Sequence, residues 1–271
     1  MTASLLLLFC RKELRDLRAN RRLWPGYLIL PVLAILLPIG LILLIPVMID
    51  PLREANDPGV RLLIETIERD PSIRGASVAE RLARLLLRDL SLWYLLMPLV
   101  LASGPAALAI VREKEQRTLE PILATPLSDR GFVLSKLAGA MGPAVLWSWT
   151  TAVAGYGIAA AVTALRLGVP IGPTAGNLVG TLVLGPALTA AAALGAIAVS
   201  ARFTNSQSAN VFVGLVIVPL SLILLGLLGR PAMASPIIGL AGTGIALLLC
   251  MGLFRVALRR LRREELLTSW K

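Results

Sequence analysis

Residues 90–111 read LSLWYLLMPLVLASGPAALAIV, 22 consecutive positions without a charged side chain. An α-helix needs roughly 20 apolar residues to cross a bilayer core of about 30 Å. Helices in the core of a soluble protein have a different pattern, because one of their faces must meet water. This stretch therefore predicts a transmembrane helix, and we expect the rest of the chain to be organised around it.

Five further uncharged runs have a similar length. They lie at residues 23–49, 137–165, 167–201, 203–229 and 231–254. Hydrophobic residues make up 56% of the 271 positions and charged residues only 16%, whereas a soluble domain carries about 25% charged residues. The sequence predicts an all-α integral membrane protein with six transmembrane helices, built as a single membrane domain over residues 1–271.

The distribution of basic residues predicts the orientation of these helices. With the N-terminus inside, 18 of the 27 lysines and arginines fall on the cytoplasmic side. Basic residues are retained on that side of a membrane. We therefore expect both termini in the cytoplasm, and the membrane accounts for the net charge of +11 without nucleic acid as a partner.

Three polar segments accompany the predicted spans. Residues 1–23 predict an interfacial amphipathic helix with a basic face, of the kind that lies among lipid headgroups. Residues 50–89 predict an external loop with two short amphipathic helices, one around the stripe of Val60, Leu63, Ile64 and Ile67 and one around Val78, Leu82, Leu85 and Leu86. Residues 255–271 form a basic cytoplasmic tail.

The chain lacks the residues that most enzymes and pumps use. It contains no histidine, no G-x-x-x-x-G-K-[ST] phosphate loop and no G-x-S-x-G motif. The spans contain no charged residue, although ion-driven carriers usually keep one at membrane depth. Its two cysteines, Cys10 and Cys250, have no metal-ligand spacing. We expect no catalytic, metal or cofactor site here, and any energy for transport should come from a partner subunit.

The segment 112–136, REKEQRTLEPILATPLSDRGFVLSK, separates the second and third predicted spans. Thr118 is a plausible N-cap for a short helix over 119–124, and Glu120 suits the positive end of its dipole. Pro126 ends that helix, and Ser128 can cap the next one. The short helix exposes apolar side chains between charged flanks, as a docking helix does. An ordinary solvated loop or a headgroup-facing helix explains the same pattern equally well.

The motif in this segment resembles that of a known family. The match consists of Glu113-Lys114-Glu115, Thr118-Leu119-Glu120, Leu123, Thr125-Pro126 and the later basic residue Lys136. It resembles the E-[KR]-E-x-G-T-L-E-x-L-L-x-[ST]-P pattern of ATP-binding-cassette (ABC) type-2 membrane permeases, whose six spans and basic amphipathic start are also similar. Arg117 departs from the pattern, because it stands where the family usually has glycine.

The resemblance implies a permease of the plasma membrane that forms half of a transport pathway. It implies a second permease copy, identical or not, and two ATPase subunits that bind ATP and Mg²⁺. Most relatives are exporters, of drugs, lipids, peptides or ions among others. The loop helix would couple the ATPase to the spans. The coupling residues implied are Glu113, Glu115, Thr118, Leu119, Glu120, Ile122, Leu123 and Pro126.

Two other classes of function fit parts of the sequence. A membrane assembly protein could use the same loop to recruit a cytoplasmic partner without transport. A membrane enzyme is the third reading, and the missing catalytic groups weigh against it. A neighbouring reading frame for a phosphate-loop ATPase would favour the exporter. The substrate is not determined, because Ser, Thr, Asn and aliphatic side chains along a pathway suit many solutes.

The charge distribution gives a direct prediction of topology. Reporter fusions after residue 70 should report the outer side of the membrane, and fusions after residues 128 and 271 the cytoplasm. A pair of reporters, one active on each side, provides the measurement. A cytoplasmic signal at residue 70 would reverse the orientation.

Overall fold

A computed structural model gives the fold. It describes residues 11, 12, 15, 21, 24–54, 58, 65, 75–118, 128–200 and 202–260. Every regular element in these residues is an α-helix or a π-helical turn. The elements are α1 (Trp24–Glu54), α2 (Val78–Leu90), α3 (Leu92–Leu108), α4 (Val111–Glu115), α5 (Asp129–Leu167), α6 (Ala175–Val179), α7 (Gly185–Ser200), α8 (Ser206–Phe212), α9 (Val218–Leu224), α10 (Arg230–Ala234) and α11 (Pro236–Arg260).

Five helical stretches are long and apolar enough to cross a membrane. They are Trp24–Ile45, Val78–Glu115, Asp129–Leu167, Ala175–Ser200 and Pro236–Arg259. They correspond to the first, second, third, fourth and sixth predicted spans, and we keep those numbers for them. The predicted fold class, an all-α membrane protein, is confirmed.

The predicted fifth span, in the uncharged run 203–229, overlaps helical residues 206–234, here called the 206–234 helix. It consists of α8, α9 and α10 joined by π-helical turns at Val213–Ile217 and Leu225–Gly229. It is not among the five stretches, so the count of six spans stays a prediction. π-Helical turns interrupt the regular i→i−4 hydrogen bonds and are frequent at functional positions.

The external segment differs in part from its prediction. α2 forms where the second amphipathic stripe predicts a helix, and Ser77 caps it by accepting a hydrogen bond from the Glu80 backbone N–H at 3.2 Å. It is not a separate helix on the membrane face, since only Ser91 lies between α2 and α3. Ala83 and Leu87 pack against α1, which holds α2 to the bundle. The first amphipathic stripe and most of residues 1–23 lie outside the described residues.

The second span lies at the centre of the bundle, and α3 is mostly buried. Tyr94 is packed edge-on against Tyr156 of α5 with ring centroids 5.1 Å apart. The Ser148 hydroxyl donates to the Tyr94 carbonyl at 2.6 Å. These contacts require a glycine at position 155, because a Cβ there would lie 2.0 Å from the Tyr94 hydroxyl oxygen.

The fourth span combines a regular helix with a π-helical turn at Gly180–Leu184. Thr174 caps its start, and Asn177 donates through its side-chain amide to the Ser91 hydroxyl at 2.7 Å. Gly176 lies against the backbone of α10, where a Cβ would come within 2.3 Å of the Met233 carbonyl oxygen. The fourth span is thereby fixed to the second span and to the end of the 206–234 helix.

Large apolar side chains cover the outside of the bundle. The first and sixth spans bury only a minority of their residues, and Leu36, Val153, Leu165 and Ile237 are all more than half exposed. A soluble monomer rarely exposes so much contiguous apolar surface. This surface suits lipid, as expected for a membrane bundle.

The contact at Gly155 predicts an asymmetry between two glycines of α5. Gly155→Ala should destabilise the fold by about 1–3 kcal/mol, because the added methyl group overpacks the buried Tyr94 ring. Gly157→Ala should be neutral or slightly stabilising, since nothing lies within 4 Å of its Cβ position and alanine favours helix. Thermal unfolding of both variants in detergent measures the difference, and equal effects would contradict this packing.

Candidate functional site

The segment singled out by the sequence begins at the end of the second span. Of its predicted coupling residues, Glu113, Glu115 and Thr118 are described, and α4 carries the first two. The remaining five, Leu119, Glu120, Ile122, Leu123 and Pro126, lie outside the described residues. The structure therefore shows how the base of this loop is held.

α4 ends in a Schellman turn. The Arg117 N–H donates to the Lys114 carbonyl at 3.1 Å, and the Thr118 N–H donates to the Glu113 carbonyl at 2.9 Å. These two bonds satisfy carbonyls that a helix end otherwise leaves unpaired. Thr118 thus belongs to the end of α4 in the described chain, and its predicted N-cap role toward residues 119–124 stays a prediction.

Arg117 occupies the one position of this turn that favours glycine. Its φ is 54°, and it is the only non-glycine residue with positive φ in the described chain. A left-handed conformation costs a residue with a Cβ roughly 1–2 kcal/mol. Arg117 therefore adopts the left-handed conformation that the family's usual glycine would favour here, and its backbone is strained.

Glu113 is buried, with 5% of its surface exposed. Its Oε1 accepts hydrogen bonds from Lys136 Nζ at 2.5 Å and from Lys12 Nζ at 2.7 Å. Its Oε2 is buried and has no hydrogen-bond partner in the described structure. A buried carboxylate needs such compensation, because leaving water costs several kcal/mol.

The two lysines come from different parts of the chain. Lys136 lies in the second turn of α5 and is 3% exposed, while the Lys12 side chain is 38% exposed. Ser128 caps α5 as predicted, by accepting a hydrogen bond from the Gly131 N–H at 3.2 Å. One carboxylate oxygen therefore joins the second span to the third span and to the N-terminal segment.

Glu115 contacts a further element. Its Oε1 accepts a hydrogen bond from the Ser206 N–H at 2.8 Å, and its Oε2 accepts one from the Ser206 hydroxyl. Ser206 is the first residue of α8, after the N-cap Asn205. Sequence reasoning missed Ser206, although Asn205-Ser206-Gln207 has the composition of a helix start.

A fourth connection lies at Ile110, the N-cap of α4. The Ile110 N–H donates to the Ser200 hydroxyl at the end of the fourth span, at a long distance of 3.4 Å. Ile110 is fully buried in an apolar cluster with Val133, Ile197 and Val213. Residues 110–118 are thus fixed to the third span, the fourth span, the 206–234 helix and the N-terminal segment, directly before the loop.

These connections can transmit displacement. A five-residue helix with short polar contacts to its neighbours moves them when it moves, because breaking a hydrogen bond to a buried carboxylate costs free energy. Its described contacts are ion pairs and hydrogen bonds between separate parts of the chain. The described residues 110–118 therefore join the loop to the helical bundle.

Comparison with protein families gives one match. A family model described as ABC-2 family transporter protein matches residues 86–251. The match extends from α2 into α11 and includes the whole of segment 112–136. The chain belongs to the ABC-2 transporter family.

Membership gives the coarse function. The chain is a permease subunit of an ABC transporter, a multi-pass membrane protein whose family associates with an ABC ATPase. Subunits of this kind are generally not catalytic themselves. No curated protein matches the chain.

The structure changes how Glu113 can act in the permease. The family resemblance places Glu113, Glu115 and Glu120 among the residues implied to couple the permease to the ATPase. Glu113 instead points inward, to Lys12 and Lys136, so its carboxylate holds the base of the loop. Glu115 is exposed but has Ser206 as a partner, and Glu120 lies outside the described residues.

The strained turn predicts a stabilising substitution. Arg117→Gly should raise the free energy of unfolding by about 0.5–1 kcal/mol, since relief of strain exceeds the greater freedom of glycine in the unfolded chain. Arg117→Ala should give no such gain, because alanine keeps its Cβ. Denaturation in mixed micelles compares the two variants, and a loss of stability in Arg117→Gly would show that the arginine side chain stabilises the turn.

The buried ion pair of Glu113 and Lys136 predicts a loss of stability when one partner is replaced. Glu113→Gln should cost about 3–5 kcal/mol, because it removes the carboxylate charge that Lys136 contacts in a buried site. The double variant Glu113→Leu/Lys136→Met should recover most of this loss, because it removes both buried charges and the remaining Lys12 side chain is 38% exposed. The same denaturation measurement applies, and additive losses in the double variant would contradict a direct pair.

Proposed function

We propose that this permease is half of the translocation pathway of an ABC exporter. A second permease copy, identical or not, completes the pathway, and two ATPase subunits bind ATP and Mg²⁺ and drive it. One observation carries the proposal. The carboxylates of Glu113 and Glu115 join α4 to three other parts of the chain, immediately before the loop that carries Leu119, Ile122 and Leu123.

The loop supplies the contact with the ATPase in this proposal. Leu119, Ile122 and Leu123 seat in a groove on the ATPase, and burial of each contributes roughly 1.5–3 kcal/mol. Exposed ion pairs of residues such as Glu120 contribute only about 0–1 kcal/mol each. The apolar side chains therefore dominate assembly, and the charged residues orient the contact.

The proposed mechanism has two stages. Closure of the ATPase pair displaces the loop, and the loop displaces α4. The buried contacts of Glu113 then carry the displacement to the third span through Lys136 and to the N-terminal segment through Lys12. A loop without these contacts would absorb the displacement by bending, because its backbone would be free to change.

The exporter operates in the plasma membrane with both termini in the cytoplasm. The bias of lysine and arginine supports this orientation. It places α4 and its loop on the side where ATP is available. The six predicted spans contain no charged residue that could bind a coupling ion. This supports ATP, rather than an ion gradient, as the energy source.

Leu119 is the residue that tests this function. Leu119→Asp should release the ATPase that co-purifies with the permease, or abolish its stimulated hydrolysis, because the substitution puts a charge into an apolar groove. Glu115→Gln should be milder. The measurement is a pull-down from membranes, with ATP hydrolysis of the recovered complex.

Gln116→Asp is the matched control. It adds the same charge at an exposed position of the same segment and removes no apolar side chain. Full binding and stimulated hydrolysis by Leu119→Asp would show that this helix is not the coupling element. Recovery of a different cytoplasmic protein in place of an ATPase would favour the non-transporting assembly protein.

A further inference from the structure

The contact between Glu115 and Ser206 differs from the other connections of α4. Both residues are exposed or partly exposed, whereas Glu113, Lys136 and Ile110 are buried. Buried charged contacts fix elements rigidly, because breaking them strands a charge. An exposed pair can part at lower cost, so this contact can change without opening the core.

Among the described side chains of the 206–234 helix, buried apolar residues lie near both ends. Near its start, Ala209 and Val213 are buried, and near its end Ala232 and Met233 are buried. Between them, Leu215 and Leu227 are 72% and 67% exposed. Two π-helical turns interrupt this helix, and such turns can redistribute hydrogen bonds as a helix shifts.

Space is available beside the first turns of this helix. A groove of about 460 Å³ is lined by residues that include Phe203, Asn205, Phe212 and Leu215. The Phe203 and Phe212 rings lie 5.5 Å apart in a tilted contact. One side of the helix start is therefore open, although Val213 is packed in the apolar cluster that includes Ile110.

We propose that the Glu115–Ser206 contact is the link through which the loop base moves the 206–234 helix. Glu115 and Ser206 are then positioning residues that make this helix respond to the state of the ATPase. The inference rests on the proposed function, because the displacement comes from the ATPase. It assigns a specific role to Ser206, a residue outside segment 112–136.

Ser206→Pro is the variant that tests the link. It removes both hydrogen-bond donors to Glu115, the N–H and the hydroxyl. Proline is favoured at the first position of a helix, and Asn205 has φ −126° and ψ 130°, an extended conformation that proline tolerates in its preceding residue. The helix start should therefore survive, and the substitution lies outside the loop that contacts the ATPase.

The readout is the motion of the helix itself. An environment-sensitive fluorophore is attached to Leu227→Cys in a background with Cys10→Ser and Cys250→Ser. A second preparation carries it at Leu165→Cys in the third span, where the native side chain is 85% exposed. Emission is compared without nucleotide and with ATP plus orthovanadate, in the complex with the co-purified ATPase, and normalised to the ATPase bound.

The expected result is specific to one position. Ser206→Pro should reduce the nucleotide response at position 227 by about tenfold or more, because hydrogen bonds to a charged acceptor shift an equilibrium by at least that factor. The response at position 165 should persist. Glu115→Ala should reproduce the loss at 227, Glu115→Gln should retain part of the response, and Ser208→Ala should retain all of it.

Three outcomes would overturn the inference. An unchanged response at position 227 in Ser206→Pro would show that the contact transmits nothing. An equal loss at positions 227 and 165 would show a general structural defect instead of a link. Failure of the unsubstituted chain to co-purify with any ATPase would remove the proposed function and the inference with it, and this failure is distinguishable because it precedes any labelling.

Discussion

The bilayer core offers no hydrogen-bond partners, and this constraint shapes the described structure. Each backbone N–H and C=O must find a partner within the chain, which leaves helices as the elements of this bundle. The same constraint governs the side chains. The hydroxyls of Thr163, Thr189 and Thr243 each donate to a carbonyl four residues earlier. The side-chain amide of Asn177 in the fourth span donates to the Ser91 hydroxyl in the second span.

The same constraint explains where these charged residues lie. Glu113, Lys136 and Lys12 meet at one end of the bundle, where the second and third spans border the loop between them. The carboxylate is buried there, and its cost is offset by two ammonium groups on one oxygen. This junction is a consequence of topology, since Lys136 and Lys12 contact Glu113 although they lie 23 and 101 residues from it along the chain.

The junction also separates two mechanical roles within the Glu113-Lys114-Glu115 motif. Successive glutamates at positions 113 and 115 point to different sides of a short helix, and one is buried while the other is exposed. The buried one fixes α4 to the third span. The exposed one reaches the start of the 206–234 helix, which contains two π-helical turns. A short motif can thus combine a rigid attachment with an adjustable one.

The sequence by itself determined the fold class and the position of the loop. Uncharged runs of membrane length leave the backbone no alternative to helix, so five spans and the cap at Ser128 follow from local composition. The family pattern likewise lies in consecutive residues. The partners of Glu113 and Glu115 could not be predicted in the same way, because both carboxylates resemble solvated loop residues when read along the chain. Only the tertiary structure brings Lys12, Lys136 and Ser206 to them, since the packing of spans decides which helix ends are neighbours and burial then selects the charges that must pair.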